Sequence, residues 1–407
     1  MPEGGGPAPR APLAAAPWVV STYFAEGLPY SIVRSLSAEF FTSMGTRLET
    51  IGATSLYGLA WNLKLLWSPL VDRHGSLRRW LVGVQALLGL VVMAVAWRAG
   101  EGDLGGVARI LVVAAFLAAT HDIAIDGFYL EALDRGSQTA LAGLRSSAYR
   151  VAMLAGKGLL VLAGALQLRG FERTAAWRLT FLGAGAALIL LAGVHALALP
   201  WPPPRRAVAG AKPRYRDAFV TFLAQPRVGV SVAFIVLYKA GDALMFNMNA
   251  PFLRSLGLGD LIRGYVGSAS LVVSITGAIA AGAAIARYGL ARTMRPIVAV
   301  QSFAILLYVA LAAVRPGVWA VSVVALLEQL AGGVGDAALA VFLMRRCAAE
   351  HKAAHYAIAS ALMSVMATAA GVSSGYLVNH LGFPVFFTLA FAASLPGLAL
   401  AWWVPQE

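Results

Sequence analysis

The stretch WPPPRRAVAGAKPRYRDAF, residues 201–219, lies at the middle of a 407-residue chain. Its three consecutive prolines, Pro202 to Pro204, end any helix that reaches them. Five basic side chains, Arg205, Arg206, Lys212, Arg214 and Arg216, keep the segment in water, on the face of a membrane that collects positive charge. To either side the sequence is a succession of long apolar runs, the first opening near Trp18 and the last closing near Trp403. About 20 apolar residues span a bilayer's hydrocarbon as a helix. With 59% hydrophobic and 13% charged residues, a soluble chain of this length could not bury its apolar surface. Lipid is therefore the solvent, and because lipid offers the backbone no hydrogen bonds, the runs are helices and not strands.

Working outward from the linker, hydropathy and Gly/Pro punctuation predict twelve spans. They cover roughly 18–41, 50–71, 80–98, 107–133, 140–168, 177–200, 228–252, 263–286, 296–314, 317–344, 353–380 and 383–403. The expected organisation is a disordered tail (1–17), a six-helix bundle (18–200), a basic Pro-rich cytoplasmic linker (201–227) and a second six-helix bundle (228–407). Loops holding Arg73, Arg78 and Arg79, then the linker, then Arg287, Arg292 and Arg295, then Arg345, Arg346 and Lys352 all fall on one side, so both termini are expected in the cytoplasm. The formal charge of +13 is spread over these short loops, with no single basic face, which excludes nucleic acid as a partner. The one cysteine, Cys347, allows no intramolecular disulfide.

The two halves match at a constant offset of 214 residues. Phe24-Ala25-Glu26-Gly27 falls on Tyr238-Lys239-Ala240-Gly241, Asp72-Arg73-His74-Gly75 on Ala286-Arg287-Tyr288-Gly289, and Asp122 on Asp336. The loop after the second span reads Ser68-Pro69-Leu70-Val71-Asp72-Arg73-His74-Gly75-Ser76-Leu77-Arg78-Arg79. It resembles the G-xxx-D-R-x-G-x-x-R-R signature of the major facilitator superfamily, with Ser68 in place of the first glycine. Gly282, Arg287, Gly289 and Arg292 echo it in the second half, with Ala286 where the acid would stand. The resemblance implies an all-α membrane protein with the major facilitator fold: twelve helices in two parallel six-helix repeats. It also implies a gating latch in which Asp72 meets arginines and a neighbouring helix N-terminus, with Gly75 allowing the turn. The alternative is an ordinary stop-transfer basic loop at Arg78 and Arg79.

Charge within the spans is the second signal, since each such residue costs roughly 2.5–3.5 kcal/mol at mid-membrane on insertion scales. Glu26, Asp122, Asp126, Arg150 and Lys157 occupy the first half; Lys239, Asp242, Glu328 and Asp336 occupy the second. They lie mostly on the first, fourth, seventh and tenth helices, which line the cavity in that superfamily. Asp122 and Asp126, four apart, share a helix face, as do Arg150 and Lys157, and Lys239 and Asp242 are spaced to pair locally. The competing reading is mutual neutralisation, with ion pairs that hold helices and bind nothing. Gly27-Leu28-Pro29 marks either a helix break that exposes backbone to the cavity or a packing kink.

Three segments are together similar to the AmpG-type muropeptide permease family and the related acetyl-coenzyme A transporters. They are Glu26-Gly27-Leu28-Pro29, Asn62 to Arg73, and Ala119-Thr120-His121-Asp122-Ile123-Ala124-Ile125-Asp126-Gly127, and Tyr149-Arg150 with Met153-Leu154 fits the same pattern. The resemblance implies proton-coupled import of anhydromuramyl sugars and peptides. By position it makes Asp122 and Asp126 coupling or substrate-binding acids, and Arg150 a partner for them or for a substrate carboxylate. His121 stands where that family has Gln, Glu26 where a small residue is expected, and Lys157 where glycine is expected. His121 is also placed for a proton relay or for plain packing. Lys64 reads as a family-typical residue snorkelling towards the cytoplasmic loop and not as a ligand.

Cys347, His351 and His355 repeat at every fourth residue, but no acidic ligand accompanies them, so no metal and no cofactor are expected. There is no HExxH, no GxSxG and no long acidic loop, which argues against a membrane-embedded enzyme on lipid-linked sugars or acyl groups. A sensor would need a signalling tail, and the sequence ends at Glu407, just past Trp403. The expectation is a monomeric secondary transporter of the bacterial inner membrane. Its partners are the bilayer, protons and a hydrophilic, anionic solute; export of a metabolite or drug is the alternative.

Overall fold

The computed structural model describes residues 11–73, 76–201, 215–347 and 352–405, and every element among them is helical. Helix α1 (Ala11–Ser31) passes through a π turn (Ile32–Leu36) into α2 (Ser37–Ser43). Next, α3 (Leu48–Ala53), α4 (Leu59–Leu63) and α5 (Ser68–Arg73) are joined by tighter 3-10 turns at Thr54–Gly58 and Lys64–Leu66. There follow α6 (Leu77–Glu101), α7 (Leu104–Ala132), α8 (Arg135–Leu168), α9 (Arg173–Ala198) and the short α10 (Tyr215–Leu223). The second half holds α11 (Val228–Leu237), α12 (Ala240–Ser255), α13 (Asp260–Tyr288), α14 (Leu290–Val314), α15 (Val318–Arg345) and α16 (Lys352–Leu400). Among the described residues, nine helices are long and apolar enough to cross a membrane. One of the nine is the run Val228–Ser255 through α11 and α12, and another is the α16 segment Ile358–Leu400, which Gly382 divides.

The expected ends shift in two places. The tail lies outside the described residues up to position 10, and from Ala11 it is helical and not disordered; alanine is the strongest helix former. Of the linker, residues 202–214 lie outside the description, whereas Tyr215–Leu223 coil into α10, whose Phe222 is buried in an apolar cluster with Phe234, Met294 and Phe342.

The chain divides into two compact units. The first comprises Met1–Leu36, Leu63–Leu159 and Arg169–Val208; the second comprises Ser37–Asn62, Leu160–Leu168 and Ala209–Glu407. In the first unit α1, α6 and α7 bury Val19, Tyr23, Leu77, Leu81, Ile125 and Phe128 together. Gly27 of α1 lies against α8, where an added Cβ would come within 2.8 Å of Ala152 Cβ and 2.9 Å of Tyr149 O. The Gly27–Pro29 segment is thus a packing feature. The break comes after it, in the π turn that follows the proline.

In the second unit α3 and the 3-10 turn after it pack on α12 and α16: Asn247 Nδ2 donates to Gly52 O at 3.2 Å and Ser55 Oγ to Thr368 O at 3.3 Å. Small residues bring α13 onto α15 in the same way, since a Cβ on Gly333 would sit 2.0 Å from Ser274 O. Two glycines are required by backbone shape. Gly289 (φ 78°, ψ 154°) turns α13 into α14, and Gly382 (φ 72°, ψ 162°) splits α16. Both lie in a region that side chains beyond glycine scarcely enter. Gly382→Ala is therefore expected to lower stability by about 1–3 kcal/mol. Gly158→Ala, at an open helical position, is expected to leave stability unchanged or raise it. Thermal melts of the detergent-solubilised variants check both.

Candidate functional site

In the first unit, carboxyl groups from two helices meet cations from two others. Asp122 on α7 pairs with Lys64 Nζ from the 3-10 turn ahead of α5. One turn on, Asp126 Oδ1 accepts from Arg145 Nη2 of α8 at 2.7 Å and from the Tyr23 hydroxyl of α1 at 2.9 Å. The Arg145 guanidinium lies over the Tyr23 ring at 4.4 Å and near the Tyr129 ring at 5.5 Å. Glu26 is buried on α1, close enough for the charges of Asp122, Asp126 and Arg145 to act on it, and its Oε2 has no hydrogen-bond partner. Three acids thus share two cations. Trp67 Nε1 donates to Thr120 Oγ1 at 3.1 Å, so the broken second helix leans on α7 through a second polar contact.

In the second unit the cation stands at a helix break. The residues Tyr238 and Lys239 separate α11 from α12, and Lys239 is the N-cap residue of α12. Its ammonium bonds Asp242 at 2.8 Å and Asp336 at 2.7 Å. Asp242 also accepts from Gln301 Nε2, whose Oε1 receives the Tyr238 hydroxyl. Glu328 is buried near this group and accepts from Gln329 Nε2 at 2.8 Å. Here one cation serves two acids directly, with a third nearby.

A third network, also in the second unit, was not foreseen. Arg263 on α13 is buried, and its guanidinium donates to Glu39 at 3.0 Å, to Asp260 at 2.8 Å and to Leu258 O at 3.0 Å. Asp260 accepts further bonds from Ser43 Oγ and, at 2.8 Å, from Gln167 Nε2. All three guanidinium nitrogens and both Asp260 oxygens are met by a partner, as a buried ion pair requires.

The gating-loop residues fall differently. Asp72 and Arg73 close α5, while Gly75 lies outside the described residues. Arg78 is buried: Nε donates to Leu199 O at 3.1 Å, Nη2 donates to Ala196 O, and the guanidinium stacks 3.9 Å over Trp201. A cation on the last carbonyls of α9 is favoured by the helix dipole. Arg79 is exposed at the start of α6, and Arg287 and Arg292 are exposed beside Gly289.

No protein-family model matches the chain. The anhydromuropeptide permease of Escherichia coli (strain K12) is 29% identical over 389 residues, covering 93% of this chain and 77% of that protein. A putative transporter, AmpG 4 of Rickettsia conorii, is 24% identical over 91% of this chain and 92% of that one. Among solved structures, a D-xylose-proton symporter superposes with a TM-score of 0.75 at 12% identity, covering 97% of this chain and 98% of that one. The nucleoside transporter NupG gives 0.67 at 15% over 97% and 98%. The chain is related over nearly its whole length to the AmpG anhydromuropeptide permeases, and it has the major facilitator fold. It is a multi-pass integral membrane protein, and the relatives named above are a permease and a putative transporter.

The acids expected at mid-membrane are gathered as clusters, but two expected cations stand apart. Arg150 is exposed on α8 and forms no ion pair with Asp122 or Asp126. The position is filled by Arg145, five residues and about 140° around the helix away. Lys157 is half-buried, also without an ion pair among the described residues. Lys64 is no snorkelling residue: it is the counter-ion of Asp122. His121 is fully buried with neither ring nitrogen hydrogen-bonded, and it faces His195, which bonds Gln85 and Ser21. His355 is bonded to Thr221 and Gln225, Cys347 to Leu343 O, and His351 lies outside the described residues.

Removing Arg263 strands two buried carboxylates. Arg263→Met is expected to lower stability by about 3–5 kcal/mol. Arg47→Ala, which breaks a pair reaching from an exposed arginine to Glu49, should leave the melting temperature of the solubilised protein nearly unchanged.

Proposed function

We propose that this transporter imports an anionic, muropeptide-like solute together with protons, by alternating access across the bacterial inner membrane. It is read as a monomer with twelve spans in two six-helix repeats and both termini in the cytoplasm. The observation that carries the reading is the excess of acid in the first-unit cluster, where Glu26, Asp122 and Asp126 share Lys64 and Arg145. Ion pairs kept only to hold helices would balance, because an unmatched charge in the membrane is costly. An unmatched carboxyl is what a proton carrier needs: it enters the membrane-embedded site charged or neutral according to the side it faces. The second-unit cluster around Lys239 adds polar groups suited to a hydrophilic solute. Similarity to an anhydromuropeptide permease supplies the choice of solute.

Uptake of radiolabelled anhydromuropeptide into proteoliposomes tests this. An inward proton gradient is expected to stimulate uptake in the wild type, and Asp122→Asn is expected to fall to the rate seen without a gradient. Equal uptake with and without the gradient contradicts proton coupling. No uptake by folded protein discards the muropeptide and keeps the transporter.

A further inference from the structure

The Lys64–Asp122 and Arg145–Asp126 pairs are built differently. Asp126 is clamped by the Tyr23 hydroxyl as well as by Arg145, and Arg145 lies against two aromatic rings. If Asp126 were neutralised, Arg145 would stay where it is, held by those ring faces. Lys64 has no such support. Among the described residues its ammonium hydrogen-bonds Asp122 alone, from a 3-10 turn in a helix already broken into short pieces. Its side chain is 30% exposed while that of Asp122 is 13% exposed, so the cation is the partner nearer to solvent. Asp122 is also faced by Glu26 from α1 and Tyr149 from α8, with Asp126 one turn along its own helix and acting on the same groups.

The geometry points to Lys64 as the residue that binds an oxyanion of the solute, a carboxylate, and to Asp122 as the internal anion that occupies Lys64 until a proton arrives. This rests on the reading of the chain as a proton-linked carrier of an anionic solute. The exchange balances in charge and atoms. A proton from the medium binds a carboxylate oxygen of Asp122, and the ion pair with Lys64 becomes a weaker bond from an ammonium to a neutral carboxylic acid. The ammonium, still charged and largely out of water, then donates to the incoming carboxylate. One proton and one negative charge enter together. On release the carboxylate leaves, the proton leaves Asp122, and Lys64 returns to it. Because both ligands act on one ion pair, each raises the other's affinity by the same factor. Proton and solute are coupled without any wire between separate sites.

The test compares an anhydromuropeptide with the same molecule carrying amidated carboxyl groups. Exchange is measured at equal pH on both sides of proteoliposomes, for the wild type, Lys64→Arg, Lys64→Met and the double variant Lys64→Met/Asp122→Asn. A charged hydrogen bond at this site predicts a wild-type preference of roughly ten- to a hundredfold in KM for the carboxylate form. Lys64→Arg is expected to keep the preference. Lys64→Met and the double variant are expected to lose it while still exchanging the amide, and the double variant removes both charges at once, so no lone carboxylate burdens its fold. A preference that survives in either Met variant overturns the inference.

Wild-type protein that carries neither form refutes the muropeptide reading instead, and proton uptake by the solubilised, solute-free protein then decides. The uptake step that vanishes in Asp122→Asn should differ between the wild type and Lys64→Met. A step that does not move overturns the pairing.

Discussion

Charge inside a hydrocarbon slab has to be answered by charge, and much of this molecule is arranged around that requirement. Four basic side chains do the answering: Lys64 and Arg145 in the first unit, Lys239 and Arg263 in the second. Each reaches from its own helix to a carboxylate on another. The ion pairs therefore join helices that bare apolar packing would join without choosing a register, since lipid is as apolar as leucine. Arg263 is satisfied on all sides and serves as structure. The clusters of Lys64 and Lys239 have acid to spare, and there the arrangement departs from what stability alone would select.

Helix breaks bring these groups into place. The run from α3 to α5 descends through two 3-10 turns, and Lys64 sits in the second of them. The run through α11 and α12 is interrupted at Tyr238 and Lys239, so the ammonium projects from a helix start. The first helix passes through a π turn after Pro29. Irregular backbone at membrane depth is tolerated where protein or a cavity surrounds it. It allows short connections between side chains that an ideal helix would point elsewhere.

Much of this was legible in the sequence because lipid makes simple rules strict. Loop charge and apolar length located the helices to within a few residues, and the spacing of Asp122 and Asp126 put two acids on one face, as found. What escaped was the identity of the cations. Helical periodicity tells which residues share a face but not which neighbouring helix that face meets, and the flexible stems of Lys and Arg reach several of them. Arg150 and Arg145 are both plausible on α8 by depth, and only the rotation of the helix decides for Arg145. Lys64 was set aside because a lysine near a loop usually reaches for water. The broken helix that turns it inward has no marker beyond Trp67-Ser68-Pro69. Arg263 lay at the start of a span, where a basic residue looks like ordinary interface; its partner Glu39, and the Gln167 that bonds Asp260 beside it, come from the first half of the chain.

Proton movement during solute uptake is the most direct measurement of the central claim, that the acid surplus of the Glu26, Asp122 and Asp126 cluster carries protons with the solute. Protein in proteoliposomes holding a trapped pH-sensitive dye, with no imposed gradient, would be given anhydromuropeptide outside. The account predicts that the lumen acidifies as the solute enters, and that a protonophore abolishes the signal. Solute entering with no change in luminal pH would contradict it, and would return the clustered carboxylates to the role of structural counter-ions.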